Sequence, residues 1–360
     1  MCNIWKHPTL PVQEIGLSTL NKLPDGFDNV NITGGEPTLR NDLLDMCEIL
    51  YPKAKKLEIS TNGLRPEKLE TVIQRFPNIK IRISLEGFQQ TNDRIRGERK
   101  GFETKMRAMA RLKELGGTDL GFASVIQDEN IDEIIELYNL TKHEKIEFAT
   151  SALHNAFQFH KGDNWPYNRL RVARQIETLI TEMLRTNSVK SWFRAYLNLG
   201  LIRKILGQKR LLVCTAGTEF IFVDPWSDVY ACNVRPDLLI GNLEEQPWDR
   251  ILSGDKARRV REQVAACAQN CWMVTTARTA MRNPRVPSLP KLRPLAWVIN
   301  NKLRVTMGMP IRFQKYINYV DIANDSTLKR KDYSSGDPIR RKLSPKSAQP
   351  YDEYGPFNNR

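Results

Sequence analysis

At 360 residues the chain has room for two domains, or for one large domain with appendages, and its composition is that of a soluble globular protein. No apolar run is long enough to span a bilayer, and the first residues lack the basic-then-apolar order of a signal peptide, so a cytoplasmic protein is expected. The formal net charge of +14 leaves two readings open: an acidic partner (nucleic acid, anionic lipid or a phosphorylated substrate) or a solvated basic surface with a basic tail. No basic stretch is interleaved with aromatics as in a nucleic-acid module.

Short β-rich runs alternate with helical patterns from residue 28 to about 150. Strands are predicted at 29–33, 56–60, 79–85, 119–126 and 145–150, with helices between them at 41–50, 66–75, 102–115 and 131–140. This alternation implies parallel strands with helices outside the sheet. The stretch 155–205 reads as mostly helical. Its 169–185 part carries Leu170, Val172, Ile176, Leu179, Ile180, Met183 and Leu184 at helical spacing and is expected to bridge two domains. A β-hairpin pattern follows, 219–223 and 228–232 around the turn Asp224-Pro225-Trp226-Ser227. Then come the run Ile240-Gly241-Asn242-Leu243 and a helix near 255–266. Pro287, Pro290 and Pro294 punctuate the chain beyond Arg285, and 297–304 forms a short amphipathic segment. The basic, polar tail after Asn324 is expected to be largely disordered.

Cys47 sits on the apolar helix pattern 43–50 and reads as a small buried hydrophobe. The other cysteines are better explained by ligation or redox chemistry than by disulfides in a cytosolic chain. Cys214, Cys232, Cys267 and Cys271 supply four thiolates, enough for a 4Fe-4S cluster or a zinc ion, with plain structural thiols as the third reading. Gly34-Gly35-Glu36-Pro37 directly follows a strand. Two readings stand: the glycines admit close approach of a ligand, Glu36 accepts hydrogen bonds from an ammonium group and Pro37 stiffens the exit, or the four residues are an ordinary Gly-rich strand-to-helix turn. Thr61-Asn62-Gly63 and Ser84-Leu85-Glu86-Gly87 end the next two strands. Arg96, in Asp93-Arg94-Ile95-Arg96-Gly97, is suited to bidentate pairing with a carboxylate, or is an exposed charge at a helix end. His7, His143, His154 and His160 have no ligand spacing. His154 and His160, near the end of the last strand, line a substrate pocket or serve a surface or interdomain role. There is no hydrolase elbow and no P-loop.

In order and spacing, Met1-Cys2-Asn3-Ile4-Trp5, Gly34-Gly35-Glu36-Pro37, Thr61-Asn62-Gly63, Ser84-Leu85-Glu86-Gly87 and Asp93–Gly97 resemble the radical S-adenosylmethionine (SAM) enzymes, over residues 1 to about 150. Their cluster loop is C-x-x-x-C-x-Φ-C. The resemblance makes Met1 the Φ residue and Cys2 the third ligand of a SAM-binding 4Fe-4S cluster. It sets Gly34, Gly35, Glu36 and Pro37 around the SAM amino group, and Asn62, Ser84, Glu86 and Arg96 as further cofactor contacts. Glu86 stands where the family usually has Asp, and Asn92 where it has His. The first two loop cysteines, and a strand bringing the total to six, would lie upstream of residue 1. A start assigned too late is the favoured expectation, with a gene fragment or a degenerate, non-catalytic SAM-fold scaffold as alternatives. The family's chemistry implies one-electron reduction from a donor such as flavodoxin or ferredoxin. Cleavage of SAM then gives a 5′-deoxyadenosyl radical, which takes a hydrogen atom from a peptide or a small, sugar-like substrate. No catalytic side chain is assigned.

The C-terminal cysteines and their hairpin resemble the auxiliary-cluster extension called SPASM or twitch, with the pattern C-x(9–15)-G-x4-C. Ser227 occupies the glycine position, and four cysteines suit a single auxiliary 4Fe-4S cluster. The expected fold is α/β: a partial parallel (β/α)6 barrel lacking its first strand, a small α+β twitch-like domain, and a basic tail. The expected organisation is a SAM core at 1–153, a helical bridge at 154–205, the auxiliary domain at 206–285, and a Pro-containing basic extension at 286–360, with an anionic partner of the tail left open.

Overall fold

In the stretch Leu57–Thr61, Leu57, Ile59 and Thr61 are buried while Glu58 and Ser60 are part-exposed, the period-two pattern of a strand lying on a core. The computed structural model of the protein describes residues 2–282 and 292–319. In it β1 (Val30–Ile32), β2 (Leu57–Thr61), β3 (Lys80–Ser84), β4 (Asp119–Ile126) and β5 (Glu147–Ala152) form one sheet in chain order, every neighbouring pair parallel. The register stacks Ile59 beside Ile81, and Ile83 beside Phe122, which lies beside Phe148. All of these side chains are buried.

Parallel neighbours need crossovers. After α1 (Leu17–Asn21) leads into β1, the crossovers are α2 (Leu43–Leu50), α3 (Pro66–Arg75), the pair α4 (Gln89–Arg96) and α5 (Gly101–Glu114), and α6 (Ile134–His143). Pro66 opens α3 at a position whose missing N–H needs no partner. Cys47 lies on the buried face of α2, where burial pushes its thiol up to about 12. This is the parallel α/β sheet that the sequence predicts.

The two ends of the sheet differ in chemistry. At the N-terminal ends of the strands, Glu58 pairs with Lys80, Arg82 with Asp119 (2.5 Å), and Glu147 with Lys190 and Arg194. Arg82 is only 2% exposed and also donates to the Ile81 and Asp119 carbonyls. Burial raises the Asp119 and Glu147 carboxyls, but Arg82 and Arg194 respectively, with neighbouring lysines, outweigh it, so both lie below their ordinary values. Carboxyls depressed in the folded state contribute stability above their unfolded values, and that contribution is lost as pH falls through the folded ones. We expect the urea midpoint to hold from pH 7 to about 5 and to decline below about pH 4. An Asp119→Asn chain should start less stable and show a shallower decline; an equally steep acid decline would exclude this end of the sheet as its source.

Helices α7 (Arg169–Arg185) and α8 (Val189–Ile205) pack on each other, and α8 reaches β5. Asn168 caps α7 through the Arg171 N–H, and Ser188 caps α8 through the Ser191 N–H. The apolar face predicted for 169–185 is buried except at Leu170, which is 43% exposed at the helix start. A second sheet of β6 (Phe222–Val223), β7 (Asp228–Tyr230) and β8 (Leu239–Asn242) is antiparallel. It is followed by α9 (Trp248–Ser253), α10 (Asp255–Ala265), α11 (Val274–Arg282) and α12 (Leu292–Thr306). Pro294 falls within the first turn of α12 rather than in a break, a place where its missing donor is harmless. The predicted segment 297–304 is the body of that helix. Met1, Pro287, Pro290 and the tail after Asn324 lie outside the described residues. Among the described residues no helix is long and apolar enough to cross a membrane.

Candidate functional site

The C-terminal ends of the parallel strands gather the first group of residues. β1 runs into Gly34, Gly35, Glu36 and Pro37. Gly34 has φ +132°, and a methyl group built on either glycine would meet nothing within 4 Å, so open space lies over both. Open space above two glycines is a cradle that a side chain would fill. The Glu36 carboxylate crosses to the end of β2: Oε1 accepts from the Thr38 N–H (3.1 Å), the Thr38 hydroxyl (2.7 Å) and the Thr61 hydroxyl (2.6 Å), and Oε2 from the Asn62 N–H (2.6 Å). The Asn62 side chain accepts from the Leu64 N–H at 2.8 Å, closing an Asx turn. Gly63 follows at φ +73°, with a hypothetical Cβ 2.6 Å from Ile83, so the Asn-Gly turn is required by backbone shape and by packing on β3. Ser84 ends β3.

Glu86, just beyond β3, is fully buried. It accepts from Arg96 (2.8 Å), from the Val125 N–H (2.8 Å) and from the Ser124 hydroxyl (3.4 Å). Arg96 also donates to Glu98, and Glu98 accepts from the buried Lys105 at 2.5 Å. Arg96 is thus no exposed charge at a helix end; it is one member of an alternating chain of acids and bases. Burial raises the Glu86 carboxyl, while Arg96, the Val125 N–H and Lys105 oppose that rise. Asn92 accepts from the Glu86 N–H at 3.2 Å and from Lys105 at 3.4 Å, fixing the turn. Burial likewise raises the Cys2 thiol, against the Ile4 N–H and the Arg96 charge. Glu86 and Arg96 form a direct pair, and Cys2 lies within electrostatic reach of Arg96. The Cys2 segment is tied to the loop after β5: Asn3 donates to the Phe159 carbonyl (2.8 Å) and the His160 carbonyl (3.2 Å), and the His7 and His160 rings stack at 4.0 Å.

In that same loop His154 is held by the Ala152 carbonyl at 3.3 Å, and its Nε2 is buried without a partner. Burial pushes His154 down to about 3, so the imidazole is neutral. The part-buried Lys204 donates to the Ala152 (3.2 Å) and Leu153 (2.7 Å) carbonyls; burial pulls it down to about 7 against the Cys271 charge.

Lys204 leads to the second group. Burial raises Cys232 to about 11, with Cys271 and Cys214 adding to the rise and the N–H groups of Val234 and Arg235 opposing it. Burial also raises Cys271, which Cys214 and Cys267 push the same way and Arg210 and Lys204 oppose. The four cysteines therefore sit within electrostatic reach of one another, and all are free thiols. Among the described residues no three His, Cys, Asp or Glu side chains converge tightly enough for one metal ion. Four thiols can serve as the donor set of an iron–sulfur group. An orphaned donor points the same way: Arg210 Nη2, beside Cys271, is buried without an acceptor.

Ser227 sits at φ +66°, the left-handed conformation its motif position demands, held by the Leu243 N–H on its carbonyl (2.9 Å) and by its hydroxyl on Glu244 (3.3 Å). A Ser227→Gly chain should relieve roughly 1–2 kcal/mol of left-handed strain and lose roughly 0.5–1 kcal/mol to backbone freedom. Its melting temperature should be equal or slightly higher; a fall of many degrees would show that the Glu244 contact dominates. Sequence reading passed over Lys204, Arg210, Arg235, Glu98 and Lys105. The available signal was proximity: Arg210 precedes Cys214 by four residues and Arg235 follows Cys232 by three.

Comparison with known proteins gives a consistent assignment. Residues 4–141 match the Radical SAM superfamily, and residues 214–272 match SPASM, an iron–sulfur cluster-binding domain. The chain is 28% identical over 222 residues to mycofactocin maturase MftC of Mycolicibacterium smegmatis, covering 59% of this chain and 55% of that protein. It is 30% identical over 122 residues to Fe-coproporphyrin III synthase of Methanosarcina barkeri, covering 34% and 30%. The chain thus spans about half, or less, of the length of these curated relatives. In fold it is similar to native anSMEcpe with bound AdoMet and Cp18Cys peptide, with a TM-score of 0.52 at 14% identity over 81% of this chain and 90% of that one. The chain thus carries a radical SAM domain over residues 4–141 and a SPASM iron–sulfur cluster-binding domain over its second cysteine site, with S-adenosylmethionine and iron–sulfur clusters as the cofactors of these domains.

Proposed function

We propose that the protein is a radical SAM maturase that abstracts hydrogen from a peptide. The observation that carries this reading is the open Gly34–Gly35 cradle after β1 together with the buried Glu86–Arg96 pair after β3, both at the carboxyl ends of a parallel sheet where ligands of α/β folds bind. When bound and reduced by one electron, the cluster and SAM supply a 5′-deoxyadenosyl radical. Cys2 holds iron, the cradle of Gly34 and Gly35 admits the methionyl end of SAM, and Pro37 fixes the chain's exit from it. Glu36 and Asn62 lock the ends of β1 and β2 together, so the cradle keeps its shape when SAM enters. Ser84 and Glu86 line the end of β3, and Glu86 aims Arg96, whose charge favours the SAM carboxylate. Cys214, Cys232, Cys267 and Cys271 hold the auxiliary cluster. We place the boundaries of the SAM core at 1–153, the bridge at 154–205 and the auxiliary domain at 206–285.

A peptide substrate is favoured over a sugar by the relatives' names, which include a maturase and the sporulation killing factor maturation protein SkfB of Bacillus subtilis. The test is anaerobic incubation of the protein with SAM and dithionite. We expect 5′-deoxyadenosine, with more formed when a peptide encoded beside the gene is added. SAM binding with no 5′-deoxyadenosine would replace this reading with a non-catalytic scaffold, and stimulation by a small sugar-like metabolite alone would overturn the peptide.

A further inference from the structure

Two arginines outside the cysteine motifs converge on the second cysteine site. Arg210 Nη1 donates to the Cys271 carbonyl and lies 3.9 Å from the Cys271 sulfur, and Nε donates to the Leu212 carbonyl at 3.2 Å. The guanidinium also lies 5.6 Å from the centre of the Trp272 ring. No carboxylate is among these contacts, and Nη2 is buried with no acceptor. Arg235 pairs with Asp237 and lies within electrostatic reach of the Cys267 thiol. Cys232 accepts from the Val234 N–H at 3.3 Å. Two of the four sulfurs thus carry an N–H donor, from Arg210 and from Val234, a third faces the Arg235 charge, and both arginines stay charged at any working pH.

We propose that Arg210 and Arg235 set the reduction potential of the auxiliary iron–sulfur centre, raising it so that the centre takes up an electron more readily than four cysteines in a neutral pocket allow. The proposal rests on the reading above, in which these cysteines ligate a cluster. Four thiolates already make such a centre negative, and reduction adds one more negative charge. Positive charge and N–H donors at the sulfurs stabilise the reduced form more than the oxidised one, because the added charge spreads onto sulfur. Low exposure strengthens the effect, since buried charges are little screened. Arg210 contributes more than Arg235, whose charge is shared with Asp237. The buried, unpartnered Nη2 of Arg210 is a donor for which a cluster sulfide would be the acceptor.

The test uses the full chain reconstituted anaerobically with iron and sulfide, in a Cys2→Ala background so that the auxiliary centre alone gives a signal. Iron and acid-labile sulfide are measured first, then the midpoint potential by electron paramagnetic resonance in a redox titration. Arg210→Gln should load the same iron and sulfide and shift the reduction equilibrium about tenfold toward the oxidised state, about 59 mV more negative for one electron. Arg235→Gln should shift it the same way by less, and Arg210→Lys, which keeps the charge, should recover most of the loss. Unchanged midpoints in loaded Arg210→Gln and Arg235→Gln chains would overturn the proposal while leaving the cluster in place. Zinc without acid-labile sulfide in the parent would overturn the cluster reading and the proposal with it. If Arg210→Gln does not fold, Arg235→Gln and Arg210→Lys decide the question.

Discussion

Replacing Trp272 with alanine should destabilise the fold by about 3–5 kcal/mol, the range for a buried aromatic, and lower the iron held at the second cysteine site. Trp272 is 2% exposed and directly follows Cys271. Its indole N–H donates to the Leu197 carbonyl at 2.8 Å, and its ring lies flush against Gly200 of α8, where a methyl group would come within 2.0 Å of a ring carbon. The indole is therefore the anchor that seats Cys271 on the helix pair, and Gly200 is the notch that receives it. Gly200→Val should be destabilising by about 1–3 kcal/mol or more, because the edge of the ring that faces Gly200 is the one held by its hydrogen bond to Leu197 and cannot shift without breaking it. Urea unfolding measures the first effect, and iron per chain after anaerobic reconstitution the second. A stable Trp272→Ala chain with a full iron load would show that Cys271 is held by something else.

Removing the Glu86 carboxylate should be nearly as severe. Glu86→Ala leaves Arg96 with half of its acid partners and strips the Val125 N–H of its acceptor inside the protein. Breaking a buried ion pair by deleting one partner is destabilising by about 3–5 kcal/mol. Glu86→Gln keeps the shape and an acceptor for Val125, and should lose less. Glu86→Asp, the residue usual for the family, is one methylene shorter and should reach either Arg96 or Val125 but not both. Chemical denaturation of the three chains gives the order, expected as Ala worst and Gln mildest. Equal stability for all three would show that Arg96 relies on Glu98 alone.

The strands and the longer crossover helices were legible because they obey simple periods. Leu57, Ile59 and Thr61 alternate, and 66–75 opens with Pro66 and closes on its apolar face. Helix α4 was not legible: of Gln89–Arg96 only Thr91 and Asn92 are buried, so its inner face carries no hydrophobic signal. Helix α8 hid its boundaries for the opposite reason. From Ala195 to Ile202 it is buried on every side, and a helix apolar all round has no moment to read. The first site was visible as motifs, but the motifs did not reveal that Glu86 and Arg96 are a buried pair. Ser227 looked like a departure from its pattern; its φ of +66° shows that the conformation, not the glycine, is what the turn retains. Lys204 and Arg210 were missed because a charged residue in a sequence reads as surface, and only folding reveals one beside a thiol.

The tether between Asn3 and the loop at Phe159 and His160 has a consequence for how the protein is made. The two ends of that contact are 157 residues apart in the chain. During synthesis the segment around Cys2 emerges before the last strand of the sheet and the loop beyond it, and has nothing to dock on until they have left the ribosome. The second site waits longer still, for Cys271 and Trp272. Since domains fold as they emerge, N-terminal parts first, the two sites become complete in a fixed order, and Cys2 is exposed to the cell throughout most of the growth of its own scaffold. The Cys2 segment thus stays an open, undocked peptide until β5 and the loop after it have emerged, while the second cysteine site is completed on a nearly finished protein.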